Sequence, residues 1–533
     1  MDASIGVLVS LIFFGAVSFF LVFNKFDRKK KIEMKKENEI LIIALTILIG
    51  LMIRIVLAYQ LPGWGNDIGS FRGWAGQAST VKGFLNFYAG LNDVNSFPYT
   101  PLYIYVLGPL GAFSNAIPGL TSKGAELIIK FPAIIADLGL AIYIYRVFYN
   151  KFLPQVRVAL FMLIALNPLL IVNSSVWGQV DSIFILLIAV FMVLMAKDKI
   201  YLSTFFMGLA LLFKPQAIFF LPVLMVCLLR RIFAGNIRKT KIESLMAGWL
   251  NDTDGTKKSV KYLSRIAEII ICAAIGAATF FMFSLPFAAP KVSDAFPLGE
   301  SPFWIFNLYL NAGESLKFAA VSALNLFGLL GKNWVADSEI LLILDYNTWG
   351  YILMGAGYAV SIVLFFIGCK NIREKKDGVL QKTPDNFTTL SAIFLSPVLM
   401  NVSMFMFGSR MHERYMVPVA VLLLFAYAYI KDIRIMILFA GFNITNLFNV
   451  LYLYLLKTNI PYESNGENIG YGWINNNTAY VYGFSALNLI LTIFLFYTAF
   501  DILVLKNIKG RQFIITDKKE QKVRRKENLL RKG

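Results

Sequence analysis

In FTTLSAIFLSPVLMNVSMFMFGSRMHERYMVPVAVLLLFAYAYI (387–430), two uncharged apolar runs, 387–407 and 416–430, flank the densest polar cluster of the chain. That cluster, GSRMHERY (408–415), holds Arg410, Arg414, Glu413 and His412, the one histidine among 533 residues. Charged side chains are costly in hydrocarbon, so the cluster marks the point where one membrane segment hands over to the next.

The same alternation extends through the whole sequence. A mean hydropathy of +0.64 and a content of 57% hydrophobic and only 16% charged residues describe an all-α polytopic integral membrane protein. Thirteen apolar runs predict spans at 4–23, 40–59, 126–146, 157–172, 181–196, 200–213, 215–230, 266–288, 348–369, 387–407, 416–430, 433–456 and 479–503. The runs 200–213 and 215–230 fall short of the ~20 residues of a perpendicular helix, which predicts tilt, breakage or shielding by neighbours. Run 4–23 has no basic region before it and no small-residue cleavage site after it, and reads as a retained anchor.

Basic residues fix the sidedness. With the amino terminus outside, the inner segments 24–39, 146–157, 197–199, 230–265, 370–386, 431–434 and 506–533 hold 39 of the 51 Lys and Arg. A net charge of +19 gathered in such blocks belongs to cytoplasmic loops and membrane lipids, not to nucleic acid. Two long outer loops remain, 60–125 and 289–347, containing outer-leaflet helices at 101–117 and 303–312. Cys227, Cys272 and Cys369 lie in apolar stretches without ligand spacing, so neither a disulfide framework nor a cysteine metal site is expected.

Five polar groups need explaining in such a chain. In LPGWGNDIGSFRGWAGQ (61–77), Asp67 stands at the end of a span, where it reads either as a general base for an acceptor hydroxyl or as part of a helix start. Arg54 and Asp137 lie at similar depth in neighbouring spans, which predicts a structural intramembrane pair. NPLLIVNSSVWGQVDSIF (167–184) collects Trp177, Gln179 and Asp181, a set that suits sugar hydroxyls or, more simply, makes a polar turn with an interfacial indole. Lys214 in FKPQ is answered either by a phosphate or by snorkelling to the surface. Arg410, His412 and Arg414 match phosphate recognition, whether in catalysis or in lipid-headgroup binding. One histidine cannot make a histidine metal site, and no metal or other cofactor is expected.

The Asp67 segment, SFPYTPLYIYVLGPL (96–110), KFPAIIADL, NPLLIVNSSVWGQVDS, FKPQ and HERYMVP follow one another in the order seen in GT-C membrane glycosyltransferases. From about residue 40 to 456 the chain resembles in particular the bacterial proteins similar to the second GPI mannosyltransferase. The resemblance implies a catalytic module at 40–505, preceded by an extra anchor and basic linker (1–39) and followed by a basic tail (506–533). It implies an inverting transferase that moves a sugar, often mannose, from a polyprenyl-phosphate donor to a glycan, glycolipid or protein acceptor outside a bacterial plasma membrane. Asp67 would be the base, with Asp181 as its rival. Lys214, Arg410, His412 and Arg414 would face the donor phosphate, while Tyr99, Trp177, Gln179, Asp181 and Glu413 would hold sugar or acceptor. A transporter or a polymerase of lipid-linked saccharides is the competing expectation.

Overall fold

The computed structural model describes residues 34–88, 99–233, 240–250, 258–287, 304–314, 316–369, 371–376, 379–384, 386–459 and 479–509. The protein is an all-α polytopic membrane protein. Among the described residues, nine helices are long and apolar enough to cross a bilayer. Asp181–Ala196, Ile200–Phe213 and Val417–Ile430 are shorter apolar helices. All the predicted runs from 40 onward fall on helices; the run 4–23 lies outside the described residues, and three of the runs fall on the shorter apolar helices.

Proline and hydrogen-bonding side chains account for the short pieces. Ile200–Phe213 ends because Pro215 pushes the preceding residue out of the helical region; Lys214 is extended, with φ −150 and ψ 130. Run 157–172 is broken at Asn167, whose side chain caps Leu169 N, and continues through Pro168–Ile171 into a π-helical turn, Val172–Trp177. Such a turn leaves the ordinary ladder and aims side chains in directions a continuous helix would not.

The helices sort by exposure. Val417–Ile430 is apolar on all sides and buried at nearly every position, and the Phe387–Phe407 helix beside it is buried along most of its length. By contrast Lys36–Gln60, Lys258–Phe287 and Tyr346–Gly368 leave most of their apolar side chains exposed on the protein surface, the flank that would face lipid. Arg54 and Asp137 meet in the interior: Arg54 Nε donates to Asp137 Oδ2 at 3.0 Å, and both side chains are fully buried. Ser174 and Ser182 also donate to Asp137, while Arg54 reaches the carbonyls of Ala165 and Gly50. Lys130 donates to Ala58 O and Leu61 O at the end of the Lys36–Gln60 helix, where carbonyls lack helical partners.

Helix Pro101–Asn115 is the predicted surface piece, and it packs on Gly65–Gln77 at closest approach through Gly111, where a Cβ would stand 1.9 Å from Ala75 O. The segment 303–312 yields the helix Trp304–Glu314. Strands are few: Ala320–Val321 pairs in parallel with Met411–His412, Ile340–Leu341 pairs with Leu344–Asp345, and Asn371–Lys376 pairs with Val379–Pro384. The first of these ties the second long loop to the histidine cluster.

Candidate functional site

Asp67 occupies the first turn of Gly65–Gln77, but it does not cap that helix; Trp64 is the cap residue. Its carboxylate instead turns to the π turn. Trp177 Nε1 donates to Asp67 Oδ2 at 2.7 Å and Gln179 Nε2 donates to the same oxygen at 2.6 Å. The Gln179 amide is oriented by Tyr99, whose hydroxyl donates to its Oε1 at 3.1 Å.

Both donors converge because the chain reverses at Gly178, with φ +88, between them. Trp64 stacks on Trp177 with ring centroids 4.3 Å apart and planes 9° from parallel, and Trp64 N donates to Trp177 O at 2.8 Å. The indole is therefore held on one face, at its backbone and at its Nε1.

The basic residues close the cluster. Lys214 pairs with Asp181, and its ammonium lies 5.6 Å from the centre of the Tyr99 ring. Lys214 does not snorkel to the surface: it is buried, and a carboxylate stands against it. Arg414 donates to Glu413 Oε1 at 2.6 Å, approaches Asp67 Oδ2 at 3.9 Å and lies 5.8 Å from the centre of the Trp177 ring. Gln216 and Asn401 both donate to Tyr415 O at 3.1 Å, fixing the backbone that carries Arg414.

Asp67, Tyr99, Trp177, Gln179, Asp181, Lys214, Glu413 and Arg414 are thus brought together. His412 borders them, with Nδ1 3.7 Å from Glu413 Oε2 and its ring 5.0 Å from that of Tyr415. Arg410 goes elsewhere: its backbone adopts φ +61 and its Nε donates to Asp337 Oδ2 at 2.6 Å. Arg54 and Asp137 serve the helix packing described above. Sequence alone does not single out Trp64 or Asp337. Trp64 stands within the Asp67 segment, whereas nothing local distinguishes Asp337.

The electrostatics follow from these pairings. Burial pushes the Glu413 carboxyl up, but the Arg414 charge and the contact with His412 outweigh it and hold the group down at about 2. Arg414 is held well above its ordinary range: burial disfavours its charge, and the carboxylates of Asp67 and Glu413 more than offset this. A depressed carboxyl stabilises the fold above its unfolded value near 4.5 and loses that contribution as pH falls toward 2. The wild type is therefore expected to lose more thermal stability than Glu413→Gln between pH 5 and pH 3 in detergent; parallel curves would show that Glu413 is not held down.

Three buried groups at or beside the cluster, Asp181 Oδ2, Arg414 Nε and the Asn173 side-chain amide, hydrogen-bond to no protein atom. Buried polar atoms of this kind are where a bound molecule finds its partners. Among the described residues no three His, Cys, Asp or Glu side chains stand together as metal ligands.

Residues 67–312, a little under half of the chain, match the family described as GPI transamidase subunit PIG-U. No curated protein matches the chain. The match overturns the resemblance to GT-C mannosyltransferases, and with it the glycosyltransferase activity and the polyprenyl-phosphate sugar donor. It also gives no support to a bacterial plasma membrane. The motifs that carried that resemblance also pack on one another: Trp177 and Gln179 of WGQ-x-D bind Asp67, and Lys214 of FKPQ pairs with Asp181, and such an arrangement does not by itself specify a reaction.

Proposed function

We propose that the chain is a membrane subunit of a transamidase-type complex, and that the Asp67, Trp177, Lys214 and Arg414 cluster holds the headgroup of a GPI-type glycolipid. The observation that carries this reading is the match at 67–312, which contains Asp67, Tyr99, Trp177, Gln179, Asp181 and Lys214. Chemically the cluster is suited to recognition. Stacked indoles offer an apolar platform for a sugar ring, and amide, carboxylate and guanidinium groups offer donors and acceptors for its hydroxyls and phosphates. The bond-making chemistry belongs to a partner subunit, and the site uses side chains alone, without metal or cofactor. The Lys and Arg distribution supports a cluster on the non-cytoplasmic side, where its partners would be other subunits and protein substrates.

The test is purification of the tagged full chain from its own membranes, followed by identification of associated subunits and bound lipids. The wild type is expected to carry partner subunits and a glycosylated inositol phospholipid. Trp177→Phe keeps a stacked ring and removes the Nε1 donor to Asp67; it is expected to keep the subunits and lower the glycolipid about tenfold, the loss of one hydrogen bond to a charged group. A chain that purifies without partner subunits, or with glycolipid content unchanged in Trp177→Phe, would overturn the proposal.

A further inference from the structure

Between Glu339 and Asp345 the chain reads ILLIL (340–344), five aliphatic residues in a row outside any span. They form a hairpin in which Leu341 pairs with Leu344 and Ile340 with Asp345. Leu341 packs against the core, while three of its side chains project away from the protein: Ile340, Leu342 and Ile343 are 72%, 85% and 80% exposed. Leu342 sits at φ +62, a conformation in which tight hairpins ordinarily place glycine or asparagine. A large aliphatic residue is kept there in spite of its backbone strain.

The hairpin is fixed to the start of a span. Trp349 Nε1 donates to Leu341 O at 2.9 Å, and Asp345 caps the Tyr346–Gly368 helix by accepting from Thr348 N at 2.7 Å. The exposed side of that helix carries Tyr351, Ile352, Val360 and Val363, at helical spacing and with no charge between them. This is the flank that faces lipid, and the hairpin stands at its end. It is the same end as the candidate site, because Arg410 pairs with Asp337 and Ala320 with Met411.

We infer that the 340–344 hairpin is a lipid anchor that inserts Leu342 and Ile343 into the bilayer leaflet on the side of the candidate site. Exposed aliphatic surface is stabilised by transfer out of water, and an interfacial indole beside it suits the headgroup level. Seated in this way, the hairpin sets the depth of the loop that carries Asp337 and, through Arg410, of the histidine cluster.

The full chain carrying Leu342→Cys is labelled with an environment-sensitive fluorophore in phosphatidylcholine nanodiscs, with Ser338→Cys at the exposed base of the hairpin as reference and unsubstituted protein as the labelling baseline. The label at 342 is expected to emit as in an apolar medium, to lose most of its intensity to a nitroxide placed at the top of the acyl chains, and to resist aqueous iodide, unlike the label at 338. Equal iodide quenching at both positions would overturn the anchor. So would a label at 342 that is water-exposed in nanodiscs and shielded only in the assembled complex, which would make the hairpin a protein contact.

Discussion

Asp137→Ala is expected to destabilise the protein by about 3–5 kcal/mol, the usual cost of removing one partner of a buried ion pair. Arg54 is fully buried, and Asp137 is the anion that meets it there. Alanine would leave the guanidinium with only the carbonyls of Ala165 and Gly50, and would strip Ser174 and Ser182 of their common acceptor. Against a total stability of roughly 5–15 kcal/mol, such a loss takes much of the margin. The paired change Arg54→Met with Asp137→Leu is expected to recover most of it, because two apolar side chains of similar volume have no charge to leave uncompensated. Thermal unfolding in detergent reads both variants. If Asp137→Ala unfolds with the wild type, this pair does not hold Lys36–Gln60 to Ser122–Val147.

That pair is legible in the sequence because depth in a bilayer is a sequence coordinate: Arg54 and Asp137 stand at similar distances from the ends of their spans, and lipid offers neither another partner. The helices are legible for the same reason, since hydrocarbon enforces length and hydropathy on anything that crosses it. What sequence does not show is the direction of side chains in the polar turns. Arg410, His412 and Arg414 are neighbours in the chain and read as one cationic group. A positive φ at Arg410 sends its guanidinium to Asp337, in the second long loop. Likewise Lys214 and Asp181 both stand out in the sequence, but far apart along the chain and for different roles. Their pairing emerges only when Asp181–Ala196 packs against Ile200–Phe213 and the latter ends at Pro215. The misreading of function has the same root. Motif order is a property of the fold, whereas chemistry depends on which lone pairs remain open. At Asp67 Oδ2, two donors already converge.

Gly178→Ala is expected to uncouple the candidate site from the fold, lowering glycolipid content by about tenfold or more, an effect of at least ~1.4 kcal/mol on binding. Gly178 is held at φ +88, a region that costs a residue with a Cβ roughly 1–2 kcal/mol. The new methyl would stand 2.5 Å from Ile68 Cδ1 and 3.2 Å from Lys130 Cε. Neither neighbour yields easily: Ile68 is in the core, and Lys130 is tethered to two carbonyls. The backbone must then shift where it joins Trp177 to Gln179, the two residues whose donors meet on one oxygen of Asp67, and small displacements in opposite senses break both bonds. Gly73→Ala is the control, on the same Gly65–Gln77 helix as Asp67, with nothing within 4 Å of the added methyl. It is expected to leave glycolipid content unchanged and to raise stability slightly, by about 0.5–1 kcal/mol, as alanine replaces glycine within a helix. Lipid analysis of the two purified variants, beside their melting temperatures, separates the cases. Loss in Gly178→Ala at a melting temperature within a few degrees of wild type ties binding to the Trp177 and Gln179 geometry. Wild-type glycolipid content in Gly178→Ala would show that the converging donors on Asp67 are not what holds the headgroup.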